Sequence, residues 1–287
     1  MFKETTRAYL RVRQIRLTGF ALSWLAQLPL AQRLIGFLRV APVSRALYRL
    51  AVGYQRPFGT LAEAEVAVSA FADQGHVHPA NADIHLELNK TTRPSDYAAL
   101  FHLQRLLPSI RSIFDLGGNV GNLYYCYETY LNLPIGFSWQ VQDLPENMAR
   151  GRALALEREA DRLSFADTWS EASGADLILV SGALHYLREP LARMLAKLNE
   201  PPEFILINRT PITDGAPFAT IQDGGPFRVA CIVHNRHLLL QELERVGYWL
   251  EDSWQATELS LRTPADPKHT VLFYSGLLLR RAKTLRA

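Results

Sequence analysis

Cysteine is nearly missing from this chain: Cys126 and Cys231 are the only two, with neither the density of a disulfide framework nor metal-ligand spacing. Each is expected to be a small buried hydrophobe, and a reducing cytosol is the natural compartment. Apolar runs of bilayer length are missing too, because the uncharged window from Leu17 to Gln32 spans only sixteen residues and holds Gln27, Pro29 and Gln32. No small-residue cleavage site closes that window, and arginines follow it, which argues against a secretory signal. His76, His78 and His85 lack cysteines or acids at ligand spacing, so no metal is expected. No internal repeat or low-complexity tract breaks the chain.

Acid is scarce in one place. Residues 1–56 hold ten Lys or Arg against a single acid, Glu4, a balance of +9, whereas the remainder carries 21 basic and 27 acidic residues and stands at −6. So one-sided a segment points to an anionic surface as its partner. Leu17, Phe20, Ala21, Trp24, Leu25 and Leu28 recur at helical spacing between Arg16 and Arg33, as in a helix lying on anionic lipid. The same stripe suits a helix packed on the main domain or on a second copy in a homodimer, its arginines in water; both readings stand at this point. The interleaved Leu, Phe and Trp argue against nucleic acid.

What is present is ample for a core: 287 residues, 48% hydrophobic and 21% charged, are more than one ordinary domain and less than two comfortable ones. Ser95 or Asp96 can cap a helix whose apolar face is Ala99, Leu100, Leu103, Leu106 and Leu107, with Pro108 ending it. From Arg111 onward short apolar runs recur at 112–116, 138–144, 162–167, 176–182, 203–209, 248–254 and 269–281. Helical stretches separate most of them, which implies crossover connections and a parallel sheet with helices on both faces. Only a turn-rich segment separates the last two, which are expected to be antiparallel neighbours.

The first run ends in Asp115-Leu116-Gly117-Gly118-Asn119-Val120-Gly121. A strand, a glycine-rich turn and a helix at the start of the alternation belong at the crevice outside the carboxyl ends of the strands. Glycines there let backbone approach a ligand and take positive φ, and Asn119 tolerates the left-handed region. The dinucleotide fingerprint is broken at Asn119, and no Gly-Lys-Ser/Thr follows for a Walker loop. An acid inside the turn, Asp115, would repel phosphate and suits a cation such as a sulfonium carrying an α-amino group. Asp143, at the end of the second run, can accept both hydroxyls of a ribose. Asp167, ending the third, can reach an exocyclic amine of adenine. Taken singly, each acid has a plain reading at a solvated strand end or a helix N-terminus.

These residues resemble the class I S-adenosylmethionine-dependent methyltransferases. Asp115, Gly117 and Gly121 match their D-x-G-x-G-x-G loop, with Asn119 replacing the middle glycine and Gly118 beside it. "VQDLP", with Asp143 and Leu144, resembles the ribose-binding strand end of small-molecule O-methyltransferases, and "VSGALHYLREP", with Ser181 and His185, is similar to the segment after their fourth strand. The set "GYQRPFGTLAEA", "SDYAALFHL", "FDLGGNVGNLYYCY", "WQVQDLP", "LILVSGALHYL" and "INRTPI" further resembles a bacterial methyltransferase family often associated with surface-polysaccharide gene sets. The resemblance implies an α/β fold: a Rossmann-like seven-stranded methyltransferase sheet, its last strand antiparallel, with helices on both faces and a helical N-terminal extension. The expected organisation is a basic amphipathic helical extension over 1–56, from its charge and spacing, then a helical lid or cap over 57–108 and the methyltransferase domain over 109–283. S-adenosylmethionine is the implied cofactor, held by Asp115, Gly117, Gly118, Asn119, Gly121, Asp143, Leu144, Asp167 and Ser181.

In plant-type O-methyltransferases a histidine comparable to His185 removes the acceptor proton, which imidazole suits near neutral pH; packing or capping is its other reading. Arg209 ends the fifth run and opens a long loop, where it can clamp an anionic acceptor or simply pair with an acid. Asp96 and Tyr97 can close over the methionine tail, and His234, with Asn235, stands either at the acceptor or as the cap of the helix that follows. Tyr124 and Tyr127 are expected in the core. The function expected is O-methylation of a glycan, a lipid-linked precursor or another small molecule, in the cytoplasm or at the inner face of its membrane. The alternatives are a membrane-peripheral assembly protein that binds the cofactor without turnover and, disfavoured by the broken fingerprint, a nicotinamide enzyme.

Overall fold

The computed structural model describes residues 2–54, 56–69, 75, 80–223 and 228–282; His76 and His78, residues 224–227 and the end of the 109–283 segment lie outside the described residues. The N-terminal helices are α1 (Phe2–Leu25), α2 (Pro29–Val40), α3 (Pro42–Val52), α4 (Leu61–Val68), α5 (Ala80–Leu88) and α6 (Pro94–Leu106). Alternation follows: β1 (Ser112–Leu116), α7 (Asn122–Tyr127), β2 (Ser138–Gln142), α8 (Pro145–Glu157), β3 (Leu163–Phe165), β4 (Leu177–Ser181), α9 (Leu191–Leu195) and β5 (Phe204–Thr210). Then come β6 (Ile212–Thr213), β7 (Phe218–Asp223), β8 (Arg228–Asn235), α10 (Arg236–Arg245), β9 (Tyr248–Ala256) and β10 (Tyr274–Arg281). No described helix is long and apolar enough to cross a membrane.

Contacts divide the chain into two compact units: Met1–Ile84, Pro211–Asn235 and Leu259–Tyr274 in the first, and His85–Thr210, Arg236–Glu258 and Ser275–Ala287 in the second. Residues 1–56 fall within the first unit, whereas 57–108 and 109–283 are each divided between the two.

The second unit holds a seven-stranded sheet in the order β3-β2-β1-β4-β5-β10-β9. Its pairs from β3 to β5 are parallel, while β10 runs antiparallel to β5 with Leu278 opposite Leu206. The chain steps outward from β1 to β3 and then returns to place β4 on the other side of β1, so the order reverses at that pair and a crevice opens outside the strand ends there. Leu177 to Val180 and Ile205 to Ile207 have no exposed surface, because central parallel strands are covered on both faces. The α6 face of Ala99, Leu100, Leu103, Leu106 and Leu107 joins the core with Trp139, Leu179 and Leu206. Each fully buried leucine of this kind contributes about 1.5–3 kcal/mol. Tyr124 and Tyr127 are in that core, their rings edge-on to Trp139 at 5.9 and 6.3 Å. Helix α6 starts on Pro94, and the Asp96 carboxylate closes the first turn by accepting the Arg93 N–H at 2.7 Å.

In the first unit α1, α2 and α3 pack on one another. Helix α3 stops at Gly53, whose φ of 72° and approach to Ile15 leave no room for a side chain: a β carbon would stand 2.5 Å from Ile15 Cγ2. A small sheet in the order β6-β8-β7 carries α4 through Phe58, Ala64, Val68, Ala219, Ile221 and Ala230. This corrects the expectation of one long loop after Arg209. Strand β7 is buried along almost its whole length, so it shows no alternation, and the Gly and Pro residues around it read as loop punctuation. His234 and Asn235 are accordingly the last residues of β8.

Candidate functional site

Strand β1 is buried from Ile113 to Leu116, and the chain must then leave the sheet and enter α7 within five residues. Positive φ at Gly117 (77°), Asn119 (56°) and Gly121 (83°) makes this turn. At Gly117 a β carbon would lie 2.3 Å from Ala183 Cβ, so the residue must be glycine both for its φ and for the approach of the segment after β4. Asn119 holds its left-handed conformation by accepting the Val120 N–H on Oδ1 at 3.0 Å.

The Asn119 N–H donates to Asp143 Oδ2 at 2.9 Å, while Asp143 Oδ1 accepts from the Leu144 N–H at 2.7 Å and from Asn147 Nδ2 at 2.6 Å. One carboxylate thus ties the turn after β1 to the start of α8. Three of its roughly four acceptor positions are filled, which leaves one on Oδ2.

Asp115 reaches the same turn at Gly118, where a β carbon would lie 2.5 Å from its Oδ2. It is 1% exposed; Oδ2 accepts from the Trp139 indole N–H at 3.2 Å, and Oδ1 has no partner. Burial, reinforced by the Asp143 charge and opposed by the indole, pushes its carboxyl up to about 7. A buried acid with one idle oxygen is costly by itself and is relieved by a cation or a donor. Ser181 Oγ at the end of β4 and Asn122 Oδ1 at the first residue of α7 are likewise buried without a hydrogen-bond partner. Asn122 was invisible in the sequence, where an asparagine at a helix start is ordinary; only its burial singles it out.

Asp115 and Asp143 therefore meet at the Gly118–Asn119 turn. Asp167 follows β3 but is exposed, its carboxylate paired with Arg152 Nη2 at 2.6 Å. His185 lies in a short 3-10 turn after β4, buried, its ring 4.0 Å from that of Tyr186.

Arg209 and Asp96 have each other as partners. The guanidinium forms a buried ion pair with Asp96 and donates through Nε to Ser95 Oγ at 2.9 Å. The Tyr127 hydroxyl donates to Asp96 Oδ1 at 2.5 Å, and Asn208 Nδ2 donates to the Ser95 carbonyl at 3.2 Å. The Ser95 hydroxyl donates to Glu258, and the Trp254 indole to Asn208 Oδ1 at 3.1 Å. Burial and then the Arg209 charge push the Arg93 guanidinium down to about 10; burial and then Asp96 raise the Tyr127 hydroxyl well above the usual range. Arg209 itself has φ 55°, a conformation that costs a non-glycine residue about 1–3 kcal/mol and that the network must hold. Tyr97, next to Asp96, is exposed, its hydroxyl accepting from Thr92 Oγ1 at 3.2 Å. His234 belongs to the first unit, where its N–H donates to the Pro211 carbonyl at 3.2 Å.

No protein-family model matches the chain, and no curated protein does. Solved structures do. A Burkholderia thailandensis 1,6-didemethyltoxoflavin-N1-methyltransferase, holding 1,6-didemethyltoxoflavin and S-adenosylhomocysteine, is 21% identical over 80% of this chain and 93% of its own, with a TM-score of 0.49. The pyocyanin biosynthetic protein PhzM is 17% identical over 77% of this chain and 67% of its own, at 0.49. The mitomycin 7-O-methyltransferase MmcR is 15% identical over 86% and 60%, at 0.40.

Proposed function

We propose that this chain is an S-adenosylmethionine-dependent methyltransferase acting on a hydroxyl of a glycan, a lipid-linked precursor or another small molecule. The observation that carries the reading is the meeting of Asp115, with a buried idle oxygen, and Asp143, with an open acceptor position, at one glycine turn outside β1. Asp115 and Asn122 Oδ1 accept from the α-ammonium group, Asp143 accepts from a ribose hydroxyl, and the Ser181 hydroxyl donates to the carboxylate of the amino-acid end. Bound there, the cofactor supplies a methyl group on a sulfonium sulphur, activated for displacement by a nucleophile placed in line. The protein's part is orientation, which is worth up to about 7–11 kcal/mol of the barrier. His185 takes the proton of the attacking hydroxyl.

Calorimetry with S-adenosylhomocysteine tests binding, and transfer of labelled methyl to glycan and lipid-linked hydroxyls tests turnover. Heat and transfer are expected; no heat and no thermal stabilisation would sink the reading. His185→Ala is expected to lower kcat about 10²–10⁴-fold while leaving cofactor affinity unchanged. Unchanged kcat with lowered stability would reduce His185 to packing. Cofactor binding without transfer to any acceptor would favour the non-catalytic reading, which draws on Arg209 being taken up by Asp96.

Asp115 gives this site a pH signature. Its folded-state pKa of about 7 lies above the ordinary 3.8, so the folded chain binds a proton there that the unfolded chain has released. Stability from this group is full below the unfolded value and is lost as pH rises toward about 7. An ammonium ligand reverses the preference and expels the proton. Affinity for S-adenosylhomocysteine should therefore rise about tenfold per unit below about pH 7 and level off above it. Titrations in buffers of different ionisation enthalpy should show up to one proton released. Asp115→Asn should flatten the profile; an unchanged slope would place the titrating group elsewhere.

A further inference from the structure

Helices α1, α2 and α3 each turn one side inward and leave the other bare. Inward go Ile15 and Gly19 of α1, Ile35 and Gly36 of α2, and Tyr48 and Val52 of α3. Gly19 faces Arg262 and Gly36 faces Ala265, Arg39 pairs with Asp266, and the Tyr48 hydroxyl donates to the Pro264 carbonyl at 3.2 Å, so all three helices address the 262–266 segment. On the far side of each helix runs an apolar stripe. Leu17 and Trp24 stand at i and i+7, and Leu30, Leu34 and Phe37, and Val43, Leu47 and Leu50, at i, i+4 and i+7, while Phe20 at the edge of the first stripe takes the Arg262 guanidinium over its ring at 5.3 Å. Leu30 is 83% exposed, Phe37 67% and Val43 91%. Scattered exposed leucines need no explanation, but three consecutive helices with outward stripes do.

Charge decides the occupant. These helices lie within the segment that carries ten basic residues and one acid. A second copy set on the same face would bring two basic segments together, with exposed Arg13 and Arg33 on both sides, and like charges across an interface cost affinity. An anionic lipid surface meets both properties together: apolar side chains enter the acyl boundary while arginines such as exposed Arg33 stay at the headgroups. We propose that the outward face of α1–α3 is an interfacial docking surface for anionic phospholipid, lying on the bilayer without crossing it. The proposal does not depend on the methyltransferase reading.

Flotation of the full-length protein with vesicles of phosphatidylcholine alone, or mixed with phosphatidylglycerol, tests it. Binding is expected only to the anionic vesicles and should weaken as salt rises. Arg33→Gln should reduce the partition coefficient about fivefold, the share of one headgroup-level cation. The double substitution Leu34→Glu/Phe37→Glu should abolish flotation while leaving S-adenosylhomocysteine binding as it was. Should that variant fail to fold, Arg33→Gln and the salt series still decide. Equal binding to neutral vesicles, no binding to either, or a dimer in sedimentation that the double variant dissolves would each overturn the proposal.

Discussion

Replacing Asp143 with alanine is expected to weaken binding of S-adenosylhomocysteine at least about 100-fold, to the point where calorimetry registers little heat. Two losses add. The first is the charge-assisted hydrogen bond from Asp143 to a ribose hydroxyl, worth about 1.5–3 kcal/mol. The second is the anchor of the glycine turn: without the carboxylate, the N–H groups of Asn119 and Leu144 and the Asn147 amide lose their acceptor together. The turn then gives up its hold on a left-handed asparagine. Asp143→Asn separates the two, since an amide oxygen can still accept from one of these donors but brings no charge. An intermediate affinity is expected for it. Full affinity in Asp143→Ala would mean that the ribose is bound elsewhere and would remove the central element of the proposed site.

The second large effect concerns stability. Arg209→Met leaves the Asp96 carboxyl without its countercharge in a fully buried position, with the Tyr127 hydroxyl and the Arg93 N–H as its remaining donors. Breaking a buried pair from one side costs about 3–5 kcal/mol, because the stranded charge keeps its desolvation penalty. Denaturant titration followed by circular dichroism should show that loss. The double variant Arg209→Met/Asp96→Leu should recover part of it, as buried pairs replaced on both sides often do. Kinetics then distinguish a structural arginine from one that binds an acceptor. If Arg209 only braces the end of β5, the double variant retains a measurable KM for the acceptor. If stability is unchanged and KM alone rises, the guanidinium is turned to a ligand.

Much of the fold was legible because its signals are local. The seven apolar runs from 112 to 281 became the seven strands of the large sheet, and β1 falls on the residues read for it, Ser112–Leu116. The glycines at 117 and 121 and Asn119 take the positive φ that their residue types suggested. Strands β6 to β8 were not legible, because Gly and Pro surround a run too evenly buried to alternate. Residues shared in a network were hidden as well. Nothing along the chain links Ser95, Asp96, Tyr127, Asn208, Arg209, Trp254 and Glu258, which come from four separate stretches and meet only when α6 packs on the sheet.

By itself the sequence determined the alternation of strands and helices, the turn that must bend after β1 and the charge imbalance of the first 56 residues, since each depends on periodicity, backbone preference or composition within a short span. Tertiary structure alone decided which acids keep a free oxygen. Asp115, Asp143, Asp167 and Asp96 are the same residue type at strand ends or a helix start, yet one is buried with an idle atom, one is braced by three donors, one is paired at the surface and one is locked to an arginine. The reason is that availability to a ligand is what remains after neighbours distant in sequence have taken their hydrogen bonds and excluded water, and those neighbours are brought together only by packing.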